Sequence, residues 1–432
     1  MPSGLTEASL TRFIIQSFSW VIGVLCAGAS ALTASGSNRQ AVAIARRFLL
    51  FNMTPEPFHV RGTGRIAGRK REASMMSTGN RVESFCTRFG IKRPILLAPM
   101  AGASAPQLSI AVANAGGLGA CGVLLMSPEE ITTWCKEVRS HGGGAFQLNV
   151  WIADGAPLRN EPHEAEVRAF LSGWGPPVPA TAGNARPPDF EQQCQAMLAA
   201  HPPVISSVMG LFAPAFVSAL KQRGIAWFAN VSTVSEARAA ESAGADVVVA
   251  QGMEAGGHRA SFTASEAERR QVGLIALLPA IADAVRVPVV AAGGIADPRA
   301  VAAALLLGAS AVQIGTAFLR CPEARINKAW ADALARTAPE DTVVSCVFSG
   351  RPGRSIATNY VRAAMAPAAP SPAAYPVQRA LTAAMRAAAL AENDLERMQA
   401  WAGQAAAMAR EQPAARVVEQ LWRGAQQLLG MP

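Results

Sequence analysis

The sequence predicts an α/β chain built on a (β/α)8 TIM barrel, with a small additional α/β or helical domain and a helical C-terminal tail. Three observations carry that prediction. Eight short apolar runs recur between residues 94 and 315, helical patterns separate them, and the last two runs end in glycine. Alternating strand and helix patterns mean parallel strands joined by right-handed crossovers, and eight strands close a barrel. Half of the 432 residues are apolar, enough to bury a core larger than one small domain requires.

In order, the runs are ILLAP (95–99), GGLGACGVL (116–124), AFQLNV (145–150), PVISSVM (203–209), IAWFANV (225–231), DVVVAQ (246–251), VPVVAAGG (287–294) and ASAVQIG (309–315). Each has the length and composition of a strand buried on both faces. Helical spacing of apolar residues fills the gaps at Pro106–Ala115, Pro128–Ser140, Ala213–Arg223, Val234–Ala243, Leu274–Val285 and Asp297–Leu307. The barrel is thus expected over residues 81–320. Residues 152–203 are too long for a simple connection and contain GWGPPVPATAGNARPP, which predicts an insertion of a helix and a proline-rich loop near the site. Residues 321–370 include FSGRPGRSIATNYV and, with part of the insertion, are expected to form a small second domain or lid over the barrel mouth. Residues 371–432 are rich in Ala, Gln, Arg and Leu and read as a helical segment with a break at Pro413, placed on the barrel exterior or against another subunit.

Residues 1–80 read as an extension, not a packed domain. Phe13–Leu32 is uncharged and about long enough to cross a bilayer, and Ala29 and Ala31 resemble a signal-peptidase site. Against an anchor or signal, Gln16, Ser17, Ser19 and many small residues weaken insertion, and Arg12 is the only positive charge before the stretch. Another reading starts the working chain at Met75 or Met76, because MSTGNRVESFCTRFGIKRPILLAPM leads directly into the first strand; the upstream residues are then a disordered extension.

The formal charge of +9 is concentrated at the N-terminus, where the residues up to Lys92 hold 12 Lys/Arg against 4 Asp/Glu and leave the remainder near +1. That distribution argues against nucleic acid as a partner. The seven cysteines are scattered without a C-x-x-C pair, which predicts reduced thiols in a cytoplasmic protein. The five histidines show no ligand spacing with one another or with cysteine, so no metal site is expected.

Chemistry-bearing residues gather at the predicted strand ends. In VVVAQGMEAGGHRASF (247–262), a β-branched run delivers Gln251 into a glycine-rich loop bearing His258. Ligands of parallel α/β folds lie beyond the carboxyl ends of the strands, so both residues stand where chemistry is usually done; a His after two glycines equally suits a turn cap. Gly256 lacks a Cβ and lets the backbone approach a flat or phosphorylated ligand. PVVAAGGIADPRAVAAALLLGASAVQIGTAFL places Gly293-Gly294 and Gly315-Thr316 after the seventh and eighth strands. Barrel loops there commonly bind a phosphate through bare N–H groups, with a tight turn the plainer alternative for Gly293-Gly294. Pro99 and Met100 end the first strand and Asn149 ends the third, so a flat heterocycle could pack on the proline and methionine edge and bond to Asn149 and Gln251. Core packing alone would also account for Met100. Arg259 and Arg351 could attract an anionic substrate or be solvated surface charges.

These residues resemble the nitronate monooxygenases, formerly called 2-nitropropane dioxygenases, from about Pro94 to Val361. APMAG, GGLGACG, FQLNVW, QGMEAGGHRASF, PVVAAGGI and QIGTAFL each look like a block of that family and occur in its order. The resemblance implies an FMN-dependent barrel that oxidises small-molecule alkyl nitronates with O2 to a carbonyl compound and nitrite. Carried over by motif, Pro99, Met100, Asn149, Gln251 and Gly256 would contact the flavin, while Gly293, Gly294, Gln313, Gly315 and Thr316 would hold its phosphate side. His258 would meet the substrate, as base or as hydrogen-bond donor. Flavin enoyl-acyl-carrier-protein reductases and NAD(P)H:quinone reductases share the barrel and an AGGH loop, so an FMN-dependent NAD(P)H oxidoreductase is the alternative, and a non-catalytic flavin-binding barrel a more distant one. HRASF and the Asn-containing FQLNVW block favour the nitronate enzymes. The N-terminal extension and the helical tail inherit nothing from the resemblance, and monomer and homodimer both fit.

Overall fold

The computed structural model describes residues 77–431 apart from Ser104, Gly143, Ala153, Asp154 and Leu158. Phe13–Leu32 and the readings attached to it lie outside the described residues. Among the described residues, no helix is long and apolar enough to cross a membrane.

Eight parallel strands form the barrel: β1 (Ile95–Leu97), β2 (Gly119–Gly122), β3 (Phe146–Trp151), β4 (Val204–Val208), β5 (Ala226–Val231), β6 (Val247–Gln251) and, after the two-residue β7 (Gly257–His258), β8 (Val289–Ala292) and β9 (Ala311–Ile314). Their order, β1-β9-β8-β6-β5-β4-β3-β2, is that of a TIM barrel. A parallel bridge between Leu96 and Leu118 joins the two ends, with Leu97 N donating to Leu118 O at 2.8 Å. All eight apolar runs are therefore barrel strands. Ile95–Leu97 and Val247–Ala250 are completely buried, because each strand has barrel interior on one face and helices on the other.

The surrounding helices are α1 (Thr78–Phe89), α2 (Pro106–Asn114), α3 (Pro128–Ser140), α4 (Glu161–Leu171), α5 (Phe190–Ala200), α6 (Pro214–Gln222), α7 (Val234–Ser242), α8 (Leu274–Ala284) and α9 (Pro298–Leu306). Proline in the first turn of α2, α3, α6 and α9, and capping boxes at Ser127/Glu130 and Thr233/Glu236, set where these helices begin. α1 closes the barrel opposite its mouth: Phe85 and Phe89 pack on Phe228, which shares a face of β5 with Asn230 but lies nearer the strand's start.

Residues 152–203 hold two helices where the sequence pattern predicts one. α5 is the ordinary barrel helix between β3 and β4, packed on α3. Its sequence, FEQQCQAMLAA, mixes Glu and Gln among the apolar positions and directly follows the proline-rich loop, which hides its period. The signal for it is Asp189, whose side chain accepts from Gln192 N at 2.8 Å as an N-cap.

Beyond β9 the chain forms α10 (Lys328–Leu334), β10 (Thr342–Ser345), β11 (Gly353–Ile356), α11 (Asn359–Ala364), α12 (Val377–Leu381), α13 (Ala383–Ala391) and α14 (Ala414–Leu429). Val167 and Leu171 of α4 pack into a second core with Phe348, Tyr360, Val361, Val377 and Leu381, so insertion and C-terminal region build one lid. An antiparallel sheet, β10-β11-β7, stitches this lid to the barrel by pairing Gly353 with His258 and Arg354 with Gly257. α14 returns to the barrel, burying Val417, Val418, Leu421 and Trp422 in its core and packing on α9 and α2.

Candidate active site

The carboxyl ends of the strands and the inner face of the lid enclose a cavity of about 440 Å³. Every residue that the family blocks assign to the site lines it, whereas Arg259 and Arg351 do not. Pro99 and Met100 follow β1, Asn149 lies in β3 and Gln251 ends β6. Gly256 and His258 come from the next loop, Gly293 and Gly294 follow β8, Gln313 lies in β9, and Gly315 and Thr316 follow it.

One wall is backbone. Gly293 (φ 113°) and Gly294 (φ 68°) adopt conformations that side chains disfavour, and a Cβ on Gly315 would stand 3.2 Å from Met100 Sδ. Among the described residues, the N–H groups of Gly293, Gly294, Gly315 and Thr316 donate to no other group. Two strand ends therefore present donors to the cavity with no side chain in the way, a cradle that an anion such as a phosphate fits. The Thr316 hydroxyl turns elsewhere and accepts from Gly403 N at 3.0 Å.

The floor is a buried amide network. Gln147 Nε2 donates to Gln313 Oε1 at 3.0 Å, Asn230 Nδ2 to Ser207 O at 2.8 Å, and Asn149 Nδ2 to Ser206 Oγ at 3.0 Å. Gln147, Asn230 and Trp151 carry no mark in the motifs. A strand period of two would have found the first and last, since it puts Gln147, Asn149 and Trp151 on one face of β3.

The loop after β6 departs from expectation in three ways. Gln251 has both ends of its amide engaged, Nε2 donating to His258 O at 3.0 Å and Oε1 accepting from Ala260 N at 2.8 Å, so it braces the loop. A Cβ on Gly256 would lie 2.5 Å from Gly403 N and 2.6 Å from Ala402 C; glycine is required there by a crossing backbone, not only by the cavity. Arg259 is neither a surface charge nor a cavity residue: it is 3% exposed, donates to Gly252 O at 2.8 Å, and burial pushes its pKa down to about 10. Arg351 is likewise buried and donates to Met209 Sδ. Met209 itself is a left-handed non-glycine residue (φ 67°) on the cavity rim, the kind of strain that collects at functional sites.

His258 stands between two indoles, with ring centroids 4.5 Å from Trp151 and 4.7 Å from Trp401, both edge to face. Its Nε2 is 2.7 Å from Ser349 Oγ, which accepts from Arg351 N at 3.2 Å. Burial first, then the positive charges of Arg379 and Arg351, push the His258 pKa down to about 3, so the ring is neutral near pH 7. Arg379 and Arg386 line the same cavity from the lid. Ser349, Trp401 and Arg379 carry no local sequence signal, because only the folded lid brings them to His258.

The family model described as nitronate monooxygenase matches residues 83–424. A nitronate monooxygenase of Paraburkholderia phytofirmans is 38% identical over 344 residues, covering 77% of this chain and 92% of the relative. A nitronate monooxygenase of Pseudomonas aeruginosa is 37% identical over 344 residues, covering 78% and 98%. Among solved structures, a nitroalkane oxidase from Streptomyces ansochromogenes superposes with a TM-score of 0.72 at 34% identity, covering 80% of this chain and 99% of its own. With barrel, lid and most of α14 inside the matched range, the chain belongs to the nitronate monooxygenase family of oxidoreductases.

Proposed function

We propose that this protein is an FMN-dependent enzyme that oxidises alkyl nitronates with O2 to a carbonyl compound and nitrite. The observation that carries this reading is the meeting, in one cavity, of a wall of unengaged backbone donors with a neutral histidine in a positive field. Gly293, Gly294, Gly315 and Thr316 would hold the phosphate, while the Pro99–Met100 edge and the amides of Asn149 and Gln313 would receive a flat ring. Bound there, FMN supplies the redox chemistry between nitronate and oxygen.

His258 is a poor proton acceptor in this setting, since burial and two nearby cations oppose its protonation. Its part is that of hydrogen-bond partner to a substrate that arrives already as an anion. The His258 Nε2 is held 2.7 Å from Ser349 Oγ, a hydroxyl that also lies 3.2 Å from Arg351 O, so the ring is anchored at Nε2 by the lid. Trp151 and Trp401 fix the ring and keep water from it. The test is aerobic turnover of propan-2-nitronate by the purified protein, with the released cofactor identified. Nitrite production with O2 uptake and FMN in the extract are expected; no nitrite, or a different cofactor, would overturn the reading.

A further inference from the structure

Building on the nitronate reading, we infer that Arg379 receives the anionic group of the substrate, its guanidinium fork pairing with the two coplanar oxygens of the nitronate. Arg379 lies in α12, partly buried, and lines the cavity that holds His258. Among the described residues its guanidinium makes no hydrogen bond and no ion pair. Among the described residues of the cavity wall the acidic one, Glu254, is engaged elsewhere, accepting from Leu274 N at 2.8 Å at the start of α8.

Arg386 sharpens the contrast. Each nitrogen of its guanidinium has a partner: Nε on Thr382 Oγ1 at 3.2 Å, Nη2 on Arg379 O at 2.9 Å and Nη1 on Gln399 Oε1 at 3.4 Å. It therefore grips the backbone of Arg379 and adds a second positive charge, itself held down to about pKa 10 by burial and then by Arg379. Two neighbouring cations with no carboxylate paired to either among the described residues are unfavourable in a partly desolvated wall, and an entering anion relieves that penalty. Aromatic contacts link the start of this segment to His258, the Tyr375 ring centroid lying 5.4 Å from that of Trp151, which lies 4.5 Å from that of His258. Tyr375 lies four residues before Arg379, just ahead of α12. A nitronate carries two oxygens on one planar nitrogen, as a carboxylate does on carbon, so a fork can engage both; a neutral nitroalkane gives the cation no net charge to pair.

The test is isothermal titration of the flavin-loaded protein with sodium nitrate, an inert planar oxyanion, at constant ionic strength, alongside steady-state kinetics with propan-2-nitronate. Arg379→Met is expected to weaken nitrate binding by at least about tenfold, as loss of one charge-assisted bidentate pair should. KM for the nitronate should rise with a smaller change in kcat, and Arg379→Lys, which keeps the charge but not the fork, should recover part of both losses. No nitrate binding by the wild type, or equal binding by wild type and Arg379→Met, would overturn the inference. Nitrate binding that depends on Arg379 in a protein that makes no nitrite would instead remove the nitronate reading and leave the anion site standing.

Discussion

The glycine wall of the cavity, proposed to hold the phosphate, is backbone from the ends of β8 and β9, whereas the wall around His258 is side chains from separate stretches: Trp151 from β3, Ser349 and Arg379 from the lid, and Trp401 from beyond α13. The first is built locally, by glycines whose dihedrals free the N–H groups. The second exists only because β7 pairs with β11 and pulls the His258 loop into the lid sheet. A cofactor shared by many reactions can rest on backbone, while the selection of one substrate depends on side chains that distant segments contribute.

Breaking the side-chain wall should give the largest effect. His258→Asn is expected to lower kcat/KM by about 100-fold, the cost of removing one well-placed donor, with flavin content unchanged. Wild-type turnover in that variant would remove His258 from the mechanism. The reciprocal change is Gly315→Val, which pushes a side chain toward Met100 Sδ and across the donor wall. Its expected result is loss of bound flavin from a protein whose circular dichroism is unchanged; full flavin retention would show that the wall does not hold the phosphate.

The smallest effect concerns pH. The His258 pKa is lowered from 6.5 to about 3 in the folded protein, so between those values the unfolded chain takes up a proton that the folded chain does not. The corresponding stability is fully present above about pH 6.5 and declines as the pH falls toward 3. Denaturant midpoints measured at pH 7 and pH 5 should therefore fall less in His258→Asn than in the wild type. The pH profile of kcat/KM should carry no histidine ionisation between about 5 and 8, and an inflection there that disappears in His258→Asn would restore His258 as a base.

The barrel was legible because its strands are buried on both faces, so their composition alone marks them, and because glycine pairs punctuate the strand ends. The backbone half of the site was legible for the same reason. Trp151 was within reach of the strand period, two residues after Asn149. α5 was obscured by its Gln-rich exterior and the preceding prolines, although Asp189 marked its start. Ser349, 91 residues from His258, could not be paired with it from sequence, since no local pattern encodes which lid residue meets which barrel loop. Arg259 and Arg351 were open between an anionic substrate and the solvated surface, yet both side chains are buried, with carbonyl and sulfur acceptors among their partners. The cavity's cations, Arg379 and Arg386, sit in a helical stretch that inherited no function from the family blocks.

Anaerobic mixing of the flavin-loaded protein with propan-2-nitronate, and separately with NADH, while recording the flavin spectrum, separates nitronate oxidation from nicotinamide-driven reduction in one experiment. A rapid spectral change with the nitronate and none with NADH is the expected result. Complete bleaching by NADH with no response to the nitronate would contradict it and make the protein a reductase on the same barrel.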